Sequence, residues 1–118
     1  MRKNLSERQL YLRRFLTVAY GLSDAEVDVF YTLVELNKKV DTDEVATRVK
    51  LSKSRISLIL KKLSSVGLVE KEKVPSEKGG RPKFLYEVKR EKVAKTLKTT
   101  GVEVCEDLQK AISELLKV

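Results

Sequence analysis

A short stretch in the middle of the chain concentrates basic side chains. Between Lys50 and Ser65 there are five of them and no acidic residue; they are Lys50, Lys53, Arg55, Lys61 and Lys62. The seven acidic residues between Gly21 and Lys50 all precede this stretch. Ammonium and guanidinium groups gathered on one surface bind phosphate oxygens, so this segregation favours a polyanionic partner. The net charge of +8 agrees but does not identify that partner.

Histidine is missing from the sequence and cysteine occurs only once, as Cys105. The usual zinc sites and histidine-based acid–base arrangements therefore have no parts. The glycines at 79 and 80 lead into Arg81-Pro82 and not into a helix, as a phosphate-binding loop would. We therefore expect no catalytic residue, no metal, no cofactor and no enzymatic activity.

Length and composition are those of one ordinary globular domain. The chain has 118 residues, of which 42% are hydrophobic and 36% charged, and no apolar run approaches the ~20 residues of a membrane span. A single cysteine excludes an intrachain disulfide. We expect one domain, located in the cytoplasm and without membrane contact.

Hydrophobic periodicity predicts four helices before any strand. The first spans about 5–20, and the second begins at a capping box formed by Ser23 and Glu26 and ends near Asn37. Asp41 or Thr42 caps a third helix of about two turns. Ser52 caps a fourth, in which the aliphatic residues Ile56, Ile59, Leu60 and Leu63 face inward and which Gly67 ends.

Two segments with strand character, 68–74 and 84–88, follow the fourth helix and flank a run rich in turn residues. This pattern predicts a hairpin whose tip spans 75–83. Three helices followed by a hairpin, with the last of these helices basic, is the order of a winged helix-turn-helix. The expected fold class is mainly α with a small β-hairpin (α+β), divided into an N-terminal helix (1–21), a DNA-binding core (22–88) and a C-terminal dimerisation helix (89–118).

The run Ser52-Lys53-Ser54-Arg55-Ile56-Ser57, continued by the segment 60–69, resembles the recognition helix and following strand of MarR-like and TrmB-like transcriptional regulators. The resemblance covers 22–88. With its flanking helices, the whole chain is most similar to small archaeal winged-helix regulators whose terminal helices form a dimer. The resemblance implies a recognition helix, 53–65, in the major groove of double-stranded DNA and a wing, 75–83, at the minor groove.

The outward side chains of this helix are the expected DNA contacts. Arg55 could pair with guanine, Ser54 and Ser57 with bases or phosphate, and the later lysines with phosphates. Leu58 departs from the family pattern and either touches a thymine methyl or indicates a different register. The complete predicted set is Lys50, Ser52, Lys53, Ser54, Arg55, Ser57, Lys61, Lys62, Lys78, Arg81 and Lys83. Taken singly, each basic residue could equally belong to a solvated face, and each serine to a helix cap.

Arg81 stands at the hairpin tip between Gly80 and Pro82. This triplet resembles the core of minor-groove hook motifs, in which an extended backbone inserts an arginine into a narrow A·T-rich groove. The alternative is an ordinary turn. Its position after a basic helix favours the hook.

A heptad pattern of apolar residues runs through the C-terminal segment 90–118, as two paired helices require. A helix of that length extends ~43 Å, so the seam cannot all pack within the domain. We expect a homodimer whose interface includes Leu12, Phe15, Leu97, Val104, Leu108, Ala111 and Leu115. The alternative is a tail that bends at Gly101 and folds back on its own core.

Other functions remain open from the sequence alone. Winged helices also serve as protein-docking modules of transcription or replication assemblies without reading DNA. RNA binding has less support, because no aromatic stacking surface is evident. No set of residues predicts a pocket for a small-molecule effector, and we expect Cys105 to be a structural residue and not a redox switch.

Overall fold

A computed structural model describes residues 5–75, 79–80 and 82–118 of the chain. These residues form five helices and two strands. In chain order they are α1 (Leu5–Tyr20), α2 (Asp24–Leu36), α3 (Thr42–Val49), α4 (Lys53–Ser65), β1 (Glu70–Val74), β2 (Lys83–Glu87) and α5 (Arg90–Leu116). The predicted mainly helical fold with a small hairpin is confirmed.

Local side-chain caps determine where the helices of the core begin. At α2, the Ser23 hydroxyl accepts a hydrogen bond from the Glu26 amide at 3.3 Å, and the Glu26 carboxylate accepts one from the Ser23 amide at 2.8 Å. This is the predicted capping box, which satisfies amides that the first helical turn leaves without partners. At α3 the cap is Asp41 and not Thr42, because the Asp41 carboxylate accepts the Glu44 amide at 2.9 Å.

The start and end of α4 also follow from local geometry. The Ser52 hydroxyl accepts a hydrogen bond from the Arg55 amide at 3.2 Å, and Gly67 adopts a positive φ of 82° just after the helix. That backbone conformation strains residues with a Cβ atom, which is why a glycine stands there. The predicted range 53–65 is therefore confirmed.

The two strands pair antiparallel, with Glu70 opposite Glu87 and Val74 opposite Lys83. Val40, between α2 and α3, joins this sheet through two backbone hydrogen bonds with Tyr86, at 2.9 and 2.8 Å. The hairpin is thus attached through β2 to the segment between α2 and α3 by backbone hydrogen bonds.

The prediction that the first strand starts at 68 was wrong by two residues. The side chains of Leu68 and Val69 are buried, 0% and 3% exposed, and the Leu68 amide donates to the carbonyl of Leu63 at the end of α4. Both residues serve the core and the helix end, and strand pairing begins only at Glu70. The second strand lies at Lys83–Glu87, one residue earlier than predicted.

One hydrophobic core joins the described elements. Leu16 of α1, Leu33 of α2 and Val45 of α3 are each 0% exposed, as is Leu60 of α4. Half-buried side chains extend this core toward α5, where Val93 is buried and Leu97 packs against it. The helices are therefore fixed relative to one another by shared apolar burial.

Helix α5 continues through Gly101 without a break, so the alternative of a tail bent at this glycine is not observed. The described molecule measures 65 × 26 × 25 Å. Its long dimension reflects the C-terminal half of α5, which projects beyond the core. Within the described residues, no helix combines the length and apolar character that crossing a bilayer requires.

Candidate nucleic-acid interface

Helix α4 separates an apolar inner face from a polar outer face. Its four inward residues are buried, with exposures between 0% and 6%; they are Ile56, Ile59, Leu60 and Leu63. The opposite face is exposed and carries Ser54, Arg55, Ser57, Leu58 and Lys61. Because the buried face holds the helix against the core, the outer face is presented as a rigid surface.

Most of the basic groups in this region have no acidic partner. Across the described parts of the chain, four of them lie beyond ion-pair distance of any carboxylate; these are Lys50, Arg55, Lys61 and Lys62. Lys53 differs, since its ammonium nitrogen lies 3.2 Å from Asp43 Oδ1 of α3. That pair is exposed on both sides and is therefore weak. The α4 surface keeps a concentrated positive charge.

The serine hydroxyls near the start of α4 differ in whether they already form hydrogen bonds within the protein. The Ser52 hydroxyl caps the helix and lies 3.4 Å from that of Ser54. Of the two roles that the sequence allowed for Ser52, helix cap and DNA contact, the structure shows the cap. Ser57 is exposed one turn further along.

Lys50 ends α3 in the left-handed conformation, with φ of 58°. This conformation turns the chain sharply. Leu51, the next residue, is half-buried, and α4 begins two residues later at Lys53. Lys50 is exposed at the turn between the two helices of the helix-turn-helix motif.

Lys83, a predicted DNA contact, begins β2 and forms an ion pair. Its ammonium nitrogen lies 3.3 Å from Asp41 Oδ2, the cap of α3. The hydrogen bond from the Glu44 amide, aided by Lys83, lowers the pKa of the Asp41 carboxyl below its ordinary value. Lys78 and Arg81, the other predicted wing contacts, lie outside the described residues.

The two faces of the hairpin differ in charge, one being basic and the other neutralised by ion pairs. Lys71 and Lys73 lie opposite Tyr86 and Phe84, so these four side chains share one face. The Lys71 ammonium lies 4.0 Å from the centre of the Phe84 ring, a cation–π contact. The alternation Glu70-Lys71-Glu72-Lys73 was the signal that could have identified this basic face.

The other face of the hairpin is neutralised by ion pairs. Lys39 lies 2.7 Å from Glu72, and Lys92 of α5 lies 2.7 Å from Glu70. Contact with Lys92 lowers the pKa of the Glu70 carboxyl. Lys89 also approaches Glu70, at 3.7 Å. Lysine charge is therefore compensated on this face, whereas among the described residues only one of the four basic side chains of α4, Lys53, has a carboxylate partner.

The residues predicted for a dimer interface fall into two groups. Phe15 and Leu97 are half-buried against the chain's own core, and the Tyr20 hydroxyl bonds to Thr100 Oγ1 at 3.1 Å, which ties α1 to α5. Leu12 is 37% exposed beside them. Beyond Gly101 the seam leaves the core: Val104 is half-buried, Ala111 is exposed, and Leu108 and Leu115 are 56% and 81% exposed.

A groove that the sequence did not predict lies between α1, α2 and α5. Its volume is about 390 Å³, and its walls are mainly apolar. The lining includes Leu12, Phe30, Tyr31, Val34, Leu97 and Arg90. The Arg90 guanidinium also donates a hydrogen bond, at 2.7 Å, to the Val34 carbonyl in the last turn of α2. The groove adjoins the proximal part of the predicted dimer seam.

Metal-ligating side chains are not grouped together in the described residues. The ranges that the structure describes hold no cluster of three or more histidine, cysteine or carboxylate side chains suited to a metal ion. The cysteine at 105 is exposed on α5. The arrangement offers a basic surface for binding.

A helical core with a basic second helix in its helix-turn-helix and an attached hairpin defines a winged helix-turn-helix protein. The chain belongs to the TrmB family, described as sugar-specific transcriptional regulators, whose family model matches residues 16–92. The family is one of regulators, so the predictions of a transcriptional regulator and of a protein that is not an enzyme are confirmed.

Solved structures share the same fold. A possible transcriptional regulator from Methanosarcina mazei is 17% identical, with a TM-score of 0.74 and 87% of each chain covered. A protein from the thermoacidophilic archaeon Sulfolobus tokodaii is 25% identical, with a TM-score of 0.71, over 85% of this chain and 93% of its own. The structure of MarR is 19% identical, with a TM-score of 0.51, over 97% and 96%. A search of curated proteins finds no significant match.

Proposed function

We propose that this regulator binds double-stranded DNA as a homodimer, with α4 in the major groove and the hairpin at the flanking minor groove. The observation that carries the proposal is the outer face of α4, where Arg55 and Lys61 are exposed and have no carboxylate partner in the described structure. Uncompensated cations on a rigid helix bind phosphates and base edges at little cost in reorganisation.

The positions along α4 suggest different roles for its side chains. Arg55 lies in the first turn, where recognition helices reach base edges, and its planar guanidinium suits the O6 and N7 acceptors of guanine. Lys61 and Lys62 lie later, and their flexible ammonium groups suit phosphates. Lys53 can exchange its exposed pair with Asp43 for a phosphate contact.

The homodimer is supported by the projecting half of α5. Residues 102–116 extend roughly 22 Å at 1.5 Å per residue, and Leu108 and Leu115 stand in solvent along this stretch. An exposed apolar seam of this length is unfavourable for a monomer and suits a helix from a second copy. Two-fold symmetry would place two α4 helices in successive major grooves, about 34 Å apart.

The proposed location is the cytoplasm, where the chromosomal DNA of archaea and bacteria lies. The simplest output is repression by occupation of a promoter.

The test is a gel shift with random duplex DNA at several salt concentrations, followed by selection of bound sequences from a random duplex pool. We expect affinity to fall steeply with salt, because phosphate contacts release counterions, and an inverted repeat to be enriched. Weak, salt-independent binding would contradict the proposal and favour a protein-docking module. Single-stranded RNA that outcompetes the duplex would also contradict it.

A further inference from the structure

Leu58 is an apolar side chain in the middle of a polar and basic surface. It is 68% exposed, whereas the other aliphatic residues of α4 are 6% exposed or less. Residues three and four positions apart are neighbours on a helix, so its neighbours include Arg55, Lys61 and Lys62. The surface proposed to face DNA therefore has an isobutyl group at its centre.

The fold does not account for this leucine. At 100° per residue, Leu58 points about 150° away from the mean direction of the four buried side chains of α4. It takes no part in the hydrophobic core or in the half-buried layer around that core. The isobutyl group is therefore available to a partner outside the chain, and burying it against an apolar group there would be favourable.

The chemistry of the major groove leaves one apolar group at the base edges of unmodified DNA, the 5-methyl group of thymine. We propose that Leu58 determines specificity by packing against the methyl group of one thymine in each half-site, an inference that rests on the proposed binding of duplex DNA by α4. Arg55 and Leu58 are separated by a rise of about 4.5 Å along the helix. Since base pairs are spaced about 3.4 Å apart, the thymine lies one or two base pairs from the guanine assigned to Arg55.

The test replaces each thymine of the selected duplex, one at a time, by deoxyuridine, which lacks only the methyl group. We expect the wild-type chain to lose about fourfold in affinity at one thymine per half-site, equivalent to ~0.8 kcal/mol for one buried methyl. The Leu58→Ala variant should bind the thymine duplex more weakly and show no further loss with deoxyuridine at that position. The remaining thymines serve as internal controls.

Val102→Ala provides the matched protein control, because Val102 is a 59% exposed aliphatic residue on α5 and not on α4. This variant should retain the wild-type affinity and the wild-type response to deoxyuridine. Thermal unfolding of Leu58→Ala should match that of the wild type, since its side chain supports no core contact.

The outcomes separate this inference from the proposed function. If the wild-type chain binds duplex DNA with steep salt dependence but Leu58→Ala responds to every deoxyuridine as the wild type does, the role of Leu58 is overturned and α4 binding stands. If the wild-type chain does not bind duplex DNA, the proposed function fails first. A Leu58→Ala change in oligomeric state without a change in the deoxyuridine response would also overturn the inference.

Discussion

The carboxylate of Asp41 lies 3.3 Å from the ammonium group of Lys83. The same carboxylate caps α3 through the Glu44 amide. One side chain, 19% exposed, therefore links the helix-turn-helix to the first residue of β2. Together with the Val40–Tyr86 backbone pairing, this contact holds β2 against the helices.

The Asp41 contacts predict a pH dependence of stability. The folded-state pKa is lowered, so the ionised carboxylate stabilises the fold above its ordinary unfolded pKa, and this contribution is lost as pH falls through the lowered value. Asp41→Ala should reduce the free energy of unfolding by about 1 kcal/mol at neutral pH, through loss of the cap. Urea unfolding of both proteins from pH 7 to pH 2 measures the difference, which should shrink in acid.

Asp107→Ala is the control for this experiment, since Asp107 is an exposed aspartate on α5 without an ion pair in the described structure. It should leave the free energy of unfolding near that of the wild type at both ends of the range. A difference between wild type and Asp41→Ala that stays constant down to pH 2 would show that the carboxylate charge does not contribute.

Charge reversal on α4 tests the DNA-binding surface. Arg55→Glu and Lys61→Glu should each reduce duplex affinity, because each replaces an attractive contact by a repulsive one. The milder Arg55→Ala should cost about 1–3 kcal/mol on the selected duplex and relax specificity at one position, whereas Lys61→Ala should mainly lower the salt slope by about 1. Gel shifts over a salt series distinguish these two effects.

Lys110→Glu is the matched control, because it makes the same change in net charge at an exposed position on the projecting half of α5. It should leave affinity nearly unchanged. Equal losses for all three reversals would mean that net charge, and not the α4 surface, governs binding.

A separate prediction concerns Lys78 and Arg81 at the predicted wing tip, which lie outside the described residues. If Arg81 inserts into a minor groove, Arg81→Ala should weaken binding more than Lys78→Ala does, because a narrow groove concentrates negative potential around an inserted arginine. Titration of the same duplex with both variants measures the difference. Equal affinities would remove the groove-insertion role and leave the Gly80–Pro82 segment as a turn.

If the projecting half of α5 forms the dimer interface, a charged residue on its apolar seam should separate the subunits. Leu108→Glu places a charge on the apolar seam and should yield monomers at micromolar concentration, as measured by light scattering. Val102→Glu introduces the same charge about 120° around the axis of α5 from Leu108, outside the predicted seam, where Val102 is also exposed, and should leave the dimer intact. A wild-type monomer, or a Leu108→Glu dimer, would contradict the assigned interface.

Local interactions made much of this fold predictable. The Ser23–Glu26 capping box and the Ser52 cap join residues only three apart, and helical periodicity alone identified the buried face of α4. Because helices depend on contacts between near neighbours, their sequence carries the information for both their bounds and their inward faces.

The remaining features required the tertiary structure. These features are the Asp41–Lys83 and Lys53–Asp43 pairs, the packing of Phe15 and Leu97 against their own core, and the groove beside α1. Each of them joins different elements of the fold. Sequence determined that α4 is basic outside and aliphatic inside. Only packing decided which of the basic groups retain uncompensated charge, because that depends on which carboxylates the fold brings within reach.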